Sequence, residues 1–279
     1  MAKTKKTDKN TSSRIGDLFI LEGRIALVTG AARGFGRLFS QTLGEAGAAI
    51  VCVDIDERPL AETATLVEQC GRKALPIVAD VAQAGHVKRI VDETTSFFGK
   101  LDIAVNNAGV IHKPYRFHEI PLEEWNRLIA IDLTGVFLCM QKELELMVKQ
   151  KSGVIINIAS ILGLVGLDPE LMPRASYVAA KHGIIGLTRQ AALEYKDHGI
   201  RVNAMAPGWF AGTDLARERL SGQSAMEFEG REQKIVESTP LGRRGHVEEL
   251  KGLLLYLASD ASSFVTGQTF AVDGGWTVR

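Results

Sequence analysis

Tyr177 and Lys181 stand four residues apart in "YVAAK", inside a stretch that reads as helix, so their side chains share one face. A free phenol titrates at about 10, too high for a base at neutral pH. A neighbouring ammonium favours the phenolate and brings the group toward a working range. Such a pair can then take a proton from an alcohol or return one to a ketone; in isolation an ordinary helix-surface contact is the better reading. Ser160 follows the apolar run 153–159, where a hydroxyl could hold an oxygen on which charge develops. A carboxylate adds a question. Asp132 sits in "LIAIDLTGVF", and Leu128 and Val136 lie four residues to either side, so an acid points into an apolar stripe. That costs free energy unless a cation or hydrogen-bond donors meet it.

A second constellation lies near the start. "TGAARGFG" (29–36) joins an apolar run to a helical pattern, with glycines at 30, 34 and 36. Glycine lets backbone approach a pyrophosphate, and a helix N-terminus offers unpaired N–H groups and a positive dipole end. A tight turn is the plain alternative. Asp54 closes the next apolar run, where a carboxylate can accept both hydroxyls of a ribose and repel a 2′-phosphate. This favours NAD over NADP. Arg33, in the glycine loop, argues the other way, because it could reach a 2′-phosphate. Asp54 could also be a solvated strand-end acid.

The elements that must position these groups follow from hydrophobic patterning. Runs at 25–29, 48–54, 74–80, 101–106, 153–159, 200–206 and 268–272 are apolar without alternation, as strands buried on both faces of a parallel sheet are. Helical patterns at 57–70, 82–98, 121–150, 176–197 and 247–259 separate them. Repeated βα units predict an α/β fold, a single doubly wound parallel sheet of about seven strands with helices on both faces. The longest stretch without a strand, 207–246, could be a lid beside the site.

The chain has 279 residues, with 33 basic and 33 acidic side chains. Zero net charge argues against nucleic acid or an anionic membrane as partner. Five basic residues against two acidic ones make 1–17 basic, and we divide the chain into a flexible tail (1–19) and one catalytic domain (20–279). No run has the length and hydropathy of a membrane span or signal peptide, which predicts a cytoplasmic protein. Cys52, Cys70 and Cys139 are widely spaced and read as apolar side chains, not metal ligands or disulfides.

Taken in order, "TGAARGFG", "NNAG" (106–109), "IASILG" with Ser160, "YVAAK", "APG" (206–208) and "VTGQTFAVDGG" resemble the short-chain dehydrogenase/reductase family over about residues 20–279. The resemblance implies a Rossmann-type sheet and hydride exchange between a secondary alcohol or ketone and NAD, with NADP as the second choice. Tyr177 would be the acid/base, Ser160 would hold the substrate oxygen, and Lys181 would also hold the nicotinamide ribose. Gly30, Arg33, Gly34, Phe35, Gly36 and Asp54 would bind the dinucleotide. Asp80 and Val81 would lie by the adenine, and Asn106, Ala108 and Gly109 would line the cleft. Backbone after Pro207 and Gly208 would approach the nicotinamide, with Thr213 near its amide. No metal is implied, and the long helices 121–150 and 176–197 would join four copies into a homotetramer.

Asp132 departs from the family, which usually has asparagine there to hold a water linking the lysine to solvent. The resemblance places Asp132 near Lys181, where its charge would partly offset the lysine's effect on the phenol. A buried structural acid is the alternative. Seventeen residues separate Ser160 from Tyr177, a few more than usual, and Pro169 and Pro173 make the extra segment 167–175 a stiff loop. "WFAG" after Gly208 is one residue longer than usual, which leaves Thr213 loosely assigned; Trp209 and Phe210 either line the pocket or cap the core. His112, Lys113, Arg116 and His118 could attract a carboxylate or form a solvated loop. "FHEIPLEEW" and "DLFILEGRIALVTG" resemble gluconate 5-dehydrogenases and related sugar-acid or polyol enzymes. Cyclic alcohols and 3-oxoacyl thioesters are the other substrate classes, and a non-catalytic NAD-binding protein is the other kind of function.

Overall fold

Apolar runs of four to eight residues become the strands, and their lack of alternation has a direct cause: helices cover the sheet on both faces. The computed structural model of the chain describes residues 14–171, 174–212 and 225–278. Among them are seven strands: β1 (Ile25–Thr29), β2 (Ala49–Asp54), β3 (Ala74–Val78), β4 (Ile103–Asn106), β5 (Gly153–Ile158), β6 (Ile200–Pro207) and β7 (Thr269–Val272). They pair in the order β3-β2-β1-β4-β5-β6-β7, parallel throughout. The order reverses between β1 and β4, and at such a switch point the loops leaving two adjacent strands part to open a crevice.

The helices are α1 (Gly34–Glu45), α2 (Glu57–Gln69), α3 (Ala84–Phe98), α4 (Leu122–Ile129), α5 (Val136–Gln150), α6 (Ala175–Glu194), α7 (Ala225–Glu237) and α8 (Lys251–Ala258). Phe39, Leu43, Leu60, Leu254 and Leu257, from α1, α2 and α8, pack on one face of the sheet. Ile90, Met140, Leu144, Met147, Ile184 and Ile185, from α3, α5 and α6, pack on the other. Each such side chain, once buried, contributes roughly 1.5–3 kcal/mol. A third apolar cluster, at the C-terminal edge of the sheet, joins Ile161, Leu162, Trp209, Ile235 and Trp276 against Tyr177.

The pattern at 121–150 is not one regular helix. A turn of π-helix, Ala130–Gly135, joins α4 to α5. Such bulges rearrange the hydrogen-bond ladder within a helix and concentrate at functional positions, and this one carries Asp132. Leu128, Asp132 and Val136 are nevertheless all buried, so the shared face survives the bulge. Ile15–Phe19 forms a short 3-10 turn; the basic segment 1–13, Pro173 and residues 213–224 of the expected lid lie outside the described residues, and α7 occupies part of the rest of that lid. Cys52 and Cys139 are buried and Cys70 is half-buried. No helix among the described residues is long and apolar enough to cross a membrane.

Candidate active site

β1 delivers the glycine loop to the switch point. Gly30 has φ +66°, and a Cβ there would meet the Ala108 Cα at 2.9 Å, so only glycine lets this turn lie against the loop after β4. That loop is fastened in return. Asn107 donates from Nδ2 to the Thr29 carbonyl (2.9 Å), and the Thr29 hydroxyl accepts from the Asn107 and Ala108 backbone N–H groups, both at 3.0 Å. Gly36 sits so close to the Gly30 carbonyl that a Cβ would lie 1.9 Å from its oxygen. Gly34 faces open space, and Arg33, at the helix cap position, gives no side-chain hydrogen bond to the first turn of α1. A Cβ at Gly34 would fill this hollow at a helix N-terminus, the geometry that suits a pyrophosphate.

Asp54 ends β2 beside that turn and accepts the backbone N–H of Ala32 (3.0 Å) and of Asp56 (3.1 Å). Arg33 turns away from Asp54 and pairs with Asp56 at 3.0 Å. Asp80 follows β3, where its carboxylate accepts the Ala82 N–H at 2.9 Å, and Val81 is buried beside Val87 and Cys139. Asn106 is placed differently from the expectation. Its side chain turns into the core, donating to Glu143 (3.0 Å) and Asn157 (3.1 Å), while its neighbour Asn107 lines the cleft. The reason is alternation along a strand end: β4 is covered on both faces, so the last strand residue points inward.

The cleft itself is lined by Phe35, Asn107, Gly109, Asp132, Ser160, Tyr177, Lys181, Pro207 and Gly208, together with Val110, Ile158, Ala159, Ile161, Leu162, Trp209 and Phe210. Ser160 leads into a 3-10 turn, Ile161–Gly163, and its Oγ accepts the Leu162 N–H at 3.2 Å. That leaves the hydroxyl proton free to be donated into the cleft. Gly163 makes the arrangement possible, since a Cβ there would strike the Lys181 carbonyl at 2.6 Å. Tyr177 and Lys181 project from one face of α6, with the Lys181 ammonium 5.3 Å from the Tyr177 ring centre.

Lys181 is buried and held from two sides. Its Nζ donates to the Ile158 carbonyl at 3.2 Å and lies 3.5 Å from Asp132 Oδ2. Asp132, with no exposure, accepts the Val110 backbone N–H at 2.7 Å through its other oxygen. Burial pushes the Asp132 carboxyl upward, and Lys181 and the Val110 N–H pull it back only in part. The awkward carboxylate thus has its cation and its donor. Asp132 is thus a buried acid that also lines the cleft.

Trp209 and Phe210 also do both things, lining the cleft while packing into two apolar clusters. Phe210 meets Phe35 edge-on at 5.6 Å, and Trp209 meets Trp276 edge-on at 6.0 Å. Of the four basic candidates, Lys113, Arg116 and His118 are exposed and His112 is buried, and none lines the cleft. Thr213 lies outside the described residues. Residues 164–171 form a turn-rich loop without helix, as the prolines suggest. Asn107, Gly163, Val110, Ile161 and Leu162 were not singled out from sequence; the doubled asparagine of "NNAG" and the glycine of "IASILG" were the available signals for the first two.

This arrangement can be compared with known proteins. Residues 30–277 match a family profile described as enoyl-(acyl carrier protein) reductase. The chain is 41% identical over 254 residues to the cis-4-hydroxycyclohexanecarboxylate dehydrogenase of Sinomonas cyclohexanicum, covering 91% of this chain and 96% of that one. The chain is a short-chain dehydrogenase/reductase. A gluconate 5-dehydrogenase from Burkholderia cenocepacia J2315, solved with NADP and tartrate, superposes with a TM-score of 0.87 at 36% identity, over 95% of this chain and 100% of that one. An NAD+-bound xylitol dehydrogenase gives 0.85 at 31%, over 91% and 99%. The short-chain dehydrogenase/reductase is accordingly an oxidoreductase of the alcohol dehydrogenase or ketoreductase kind, served by a nicotinamide cofactor.

Proposed function

We propose that the enzyme interconverts a secondary alcohol and a ketone on a largely apolar, cyclic carbon skeleton, with NAD as the preferred cofactor. One observation carries the substrate class. The cleft that holds Ser160 and Tyr177 has Asn107, Asp132 and Lys181 as its other polar side chains, and an apolar wall of Val110, Ile158, Ile161, Leu162, Trp209 and Phe210. A sugar acid or polyol would have to leave several hydroxyl groups unpaired against these side chains, at about 1–3 kcal/mol each. An alicyclic ring would be desolvated there favourably, at ~25 cal/mol per Å². The relative that acts on a hydroxycyclohexanecarboxylate supports the same choice. A 3-oxoacyl thioester is the second reading, favoured by the acyl-carrier name of the matching family.

In this proposal Ser160 donates its hydroxyl proton to the substrate oxygen, and Tyr177 takes the alcohol proton as the carbon is oxidised or returns it in reduction. Lys181 favours the phenolate and reaches the cofactor's ribose, and Asp132 holds Lys181 in place. Bound NAD would accept or supply the hydride. The glycine loop would hold its pyrophosphate, and Asp54, fixed by two backbone N–H groups, would meet the adenosine ribose. Because Arg33 is engaged by Asp56, its charge is partly answered, which supports NAD over NADP. Exposed Phe137 and Leu193, on α5 and α6, support assembly of these helices into a homotetramer. We place the enzyme in the cytoplasm, with a small molecule as its only substrate partner.

The test is a panel of cyclohexanol, cis-4-hydroxycyclohexanecarboxylate, gluconate and xylitol with NAD or NADP, plus acetoacetyl-CoA with NADH or NADPH, read by cofactor absorbance. The proposal expects the highest kcat/KM for a cyclic alcohol with NAD. A gluconate or xylitol value above both cyclic alcohols would overturn the substrate class.

A further inference from the structure

Among the described residues, the helix that carries Tyr177 has no side-chain cap at its first turn. Arg174, at its cap position, supplies no side-chain hydrogen bond to the first turn. An uncapped first turn frays easily, because its backbone N–H groups have no partners within the helix. Tyr177 is the third residue of that helix. Something from outside must hold it.

The contacts come from the segment that follows "NNAG". His112 is 5% exposed, although its neighbours Lys113 and Pro114 are exposed. Its Nδ1 hydrogen-bonds the Lys113 carbonyl, which can only accept, so Nδ1 carries the proton and Nε2 presents a lone pair. That lone pair meets the hydroxyl of Ser176, a fully buried residue adjacent to Tyr177. The His112 carbonyl accepts in turn from the guanidinium of buried Arg174. Two residues earlier, the Val110 N–H donates to Asp132 at 2.7 Å. Residues 110–113 thus form a strap, bonded at one end to Asp132 and at the other to the start of α6.

We infer that His112 is a positioning residue: through Ser176 and Arg174 it fixes the first turn of α6, and so the place of the Tyr177 hydroxyl relative to Ser160. The inference rests on the proposed acid/base role of Tyr177. It also accounts for a histidine that lines no cleft yet is buried at the substrate end. Losing a hydrogen bond to an adjacent residue leaves the phenol in the site but lets it wander, and misplacement by about 1 Å costs on the order of a hundredfold in rate.

The test compares His112→Phe, Ser176→Ala, the double variant and His112→Gln, using cyclohexanol and NAD. Glutamine keeps an acceptor for the Ser176 hydroxyl; phenylalanine keeps only the shape. The expected result is a kcat at least tenfold lower in His112→Phe and Ser176→Ala, with KM for cyclohexanol and NAD affinity within twofold of the parent. The double variant should be no slower than the slower single one, since one contact is removed twice. His112→Gln should recover most of the rate. Unchanged kcat in both single variants overturns the inference. So do losses that multiply in the double variant, and so does a loss that only tracks the fraction of protein able to bind NAD. If the parent does not oxidise cyclohexanol, the functional reading fails by itself, and deuterium uptake at the start of α6 decides the inference. Faster exchange at the Val178 amide in His112→Phe and Ser176→Ala, but not in His112→Gln, upholds it; equal exchange overturns it.

Discussion

Replacing Asp132 by asparagine removes one negative charge from the site while keeping an oxygen to accept the Val110 N–H. The carboxylate lies 3.5 Å from the Lys181 ammonium, which is itself 5.3 Å from the Tyr177 ring centre. The carboxylate oxygen therefore lies at most about 8.8 Å from that ring centre, the two distances laid end to end. At an effective dielectric constant of about 20, a unit charge at that limit acts on a phenolate with roughly 2 kcal/mol, and with about half of that if water screens the cleft more strongly. One kcal/mol corresponds to ~0.7 pH unit. Asp132→Asn should therefore move the acidic limb of kcat/KM for alcohol oxidation to lower pH by about 1 unit, because less negative charge opposes the phenolate. Asp132 is fully buried and Tyr177 half-buried, so most of the shift should survive 0.5 M salt, an ionic strength chosen to screen surface charges within ~4 Å. The assay is kcat/KM against pH for both proteins, in one buffer series of constant ionic strength. An unchanged limb would refute the reasoning, and would mean that buried Asp132 carries no charge at working pH. A limb displaced to higher pH would reverse its sign.

Glu143 offers a second pH effect of opposite character. It is 1% exposed and bonded to Asn106, and burial raises its carboxyl from 4.5 to about 7. The folded protein thus keeps a proton that the unfolded chain has already lost between these values. The associated stability is complete below about 4.5 and falls by about 3 kcal/mol as pH rises through 7. Glu143→Gln, which keeps the acceptor for Asn106, should raise Tm by several degrees at pH 8 and by little at pH 4.5; an equal change at both pH values would contradict this. Asp54→Ser removes the charge expected to repel a 2′-phosphate, and the ratio of kcat/KM for NAD over NADP should fall about thirtyfold, or ~2 kcal/mol. A ratio within threefold of the parent would mean that Asp54 does not discriminate. Phe137→Glu, on the exposed face of α5, should shift light-scattering mass from tetramer to a smaller species, and an unchanged mass would remove that helix from the interface.

How much was readable in advance depended on the range of the interaction. All seven strands stand where continuous apolar runs lie, because a parallel sheet covered on both faces demands them; no end moved by more than two residues. The glycine loop, the Tyr177–Lys181 pair and the strand-end acid Asp54 were legible because turn, helix face and strand end are local properties. Contacts between residues distant in sequence were not. The Asn106–Glu143 bond spans 37 residues and the His112–Ser176 bond 64. His112 sits among charged neighbours and resembles a solvated loop residue until the fold brings α6 against it. The Arg33–Asp56 ion pair, across 23 residues, was likewise not readable from the glycine loop alone. Asp132 is intermediate: its apolar helix announced a buried partner, the family resemblance named Lys181, and the fold places the two 3.5 Å apart. The π-turn that carries it has no signature in spacing, since the same apolar stripe fits a regular helix.

The central claim is that Tyr177 moves the proton in a site otherwise complete without it. Tyr177→Phe should bind NADH as tightly as the parent by fluorescence titration, yet oxidise the best cyclic alcohol of the panel at least a thousandfold more slowly, near the upper range of a general acid/base contribution. Tight NADH binding with a kcat within tenfold of the parent would contradict the account.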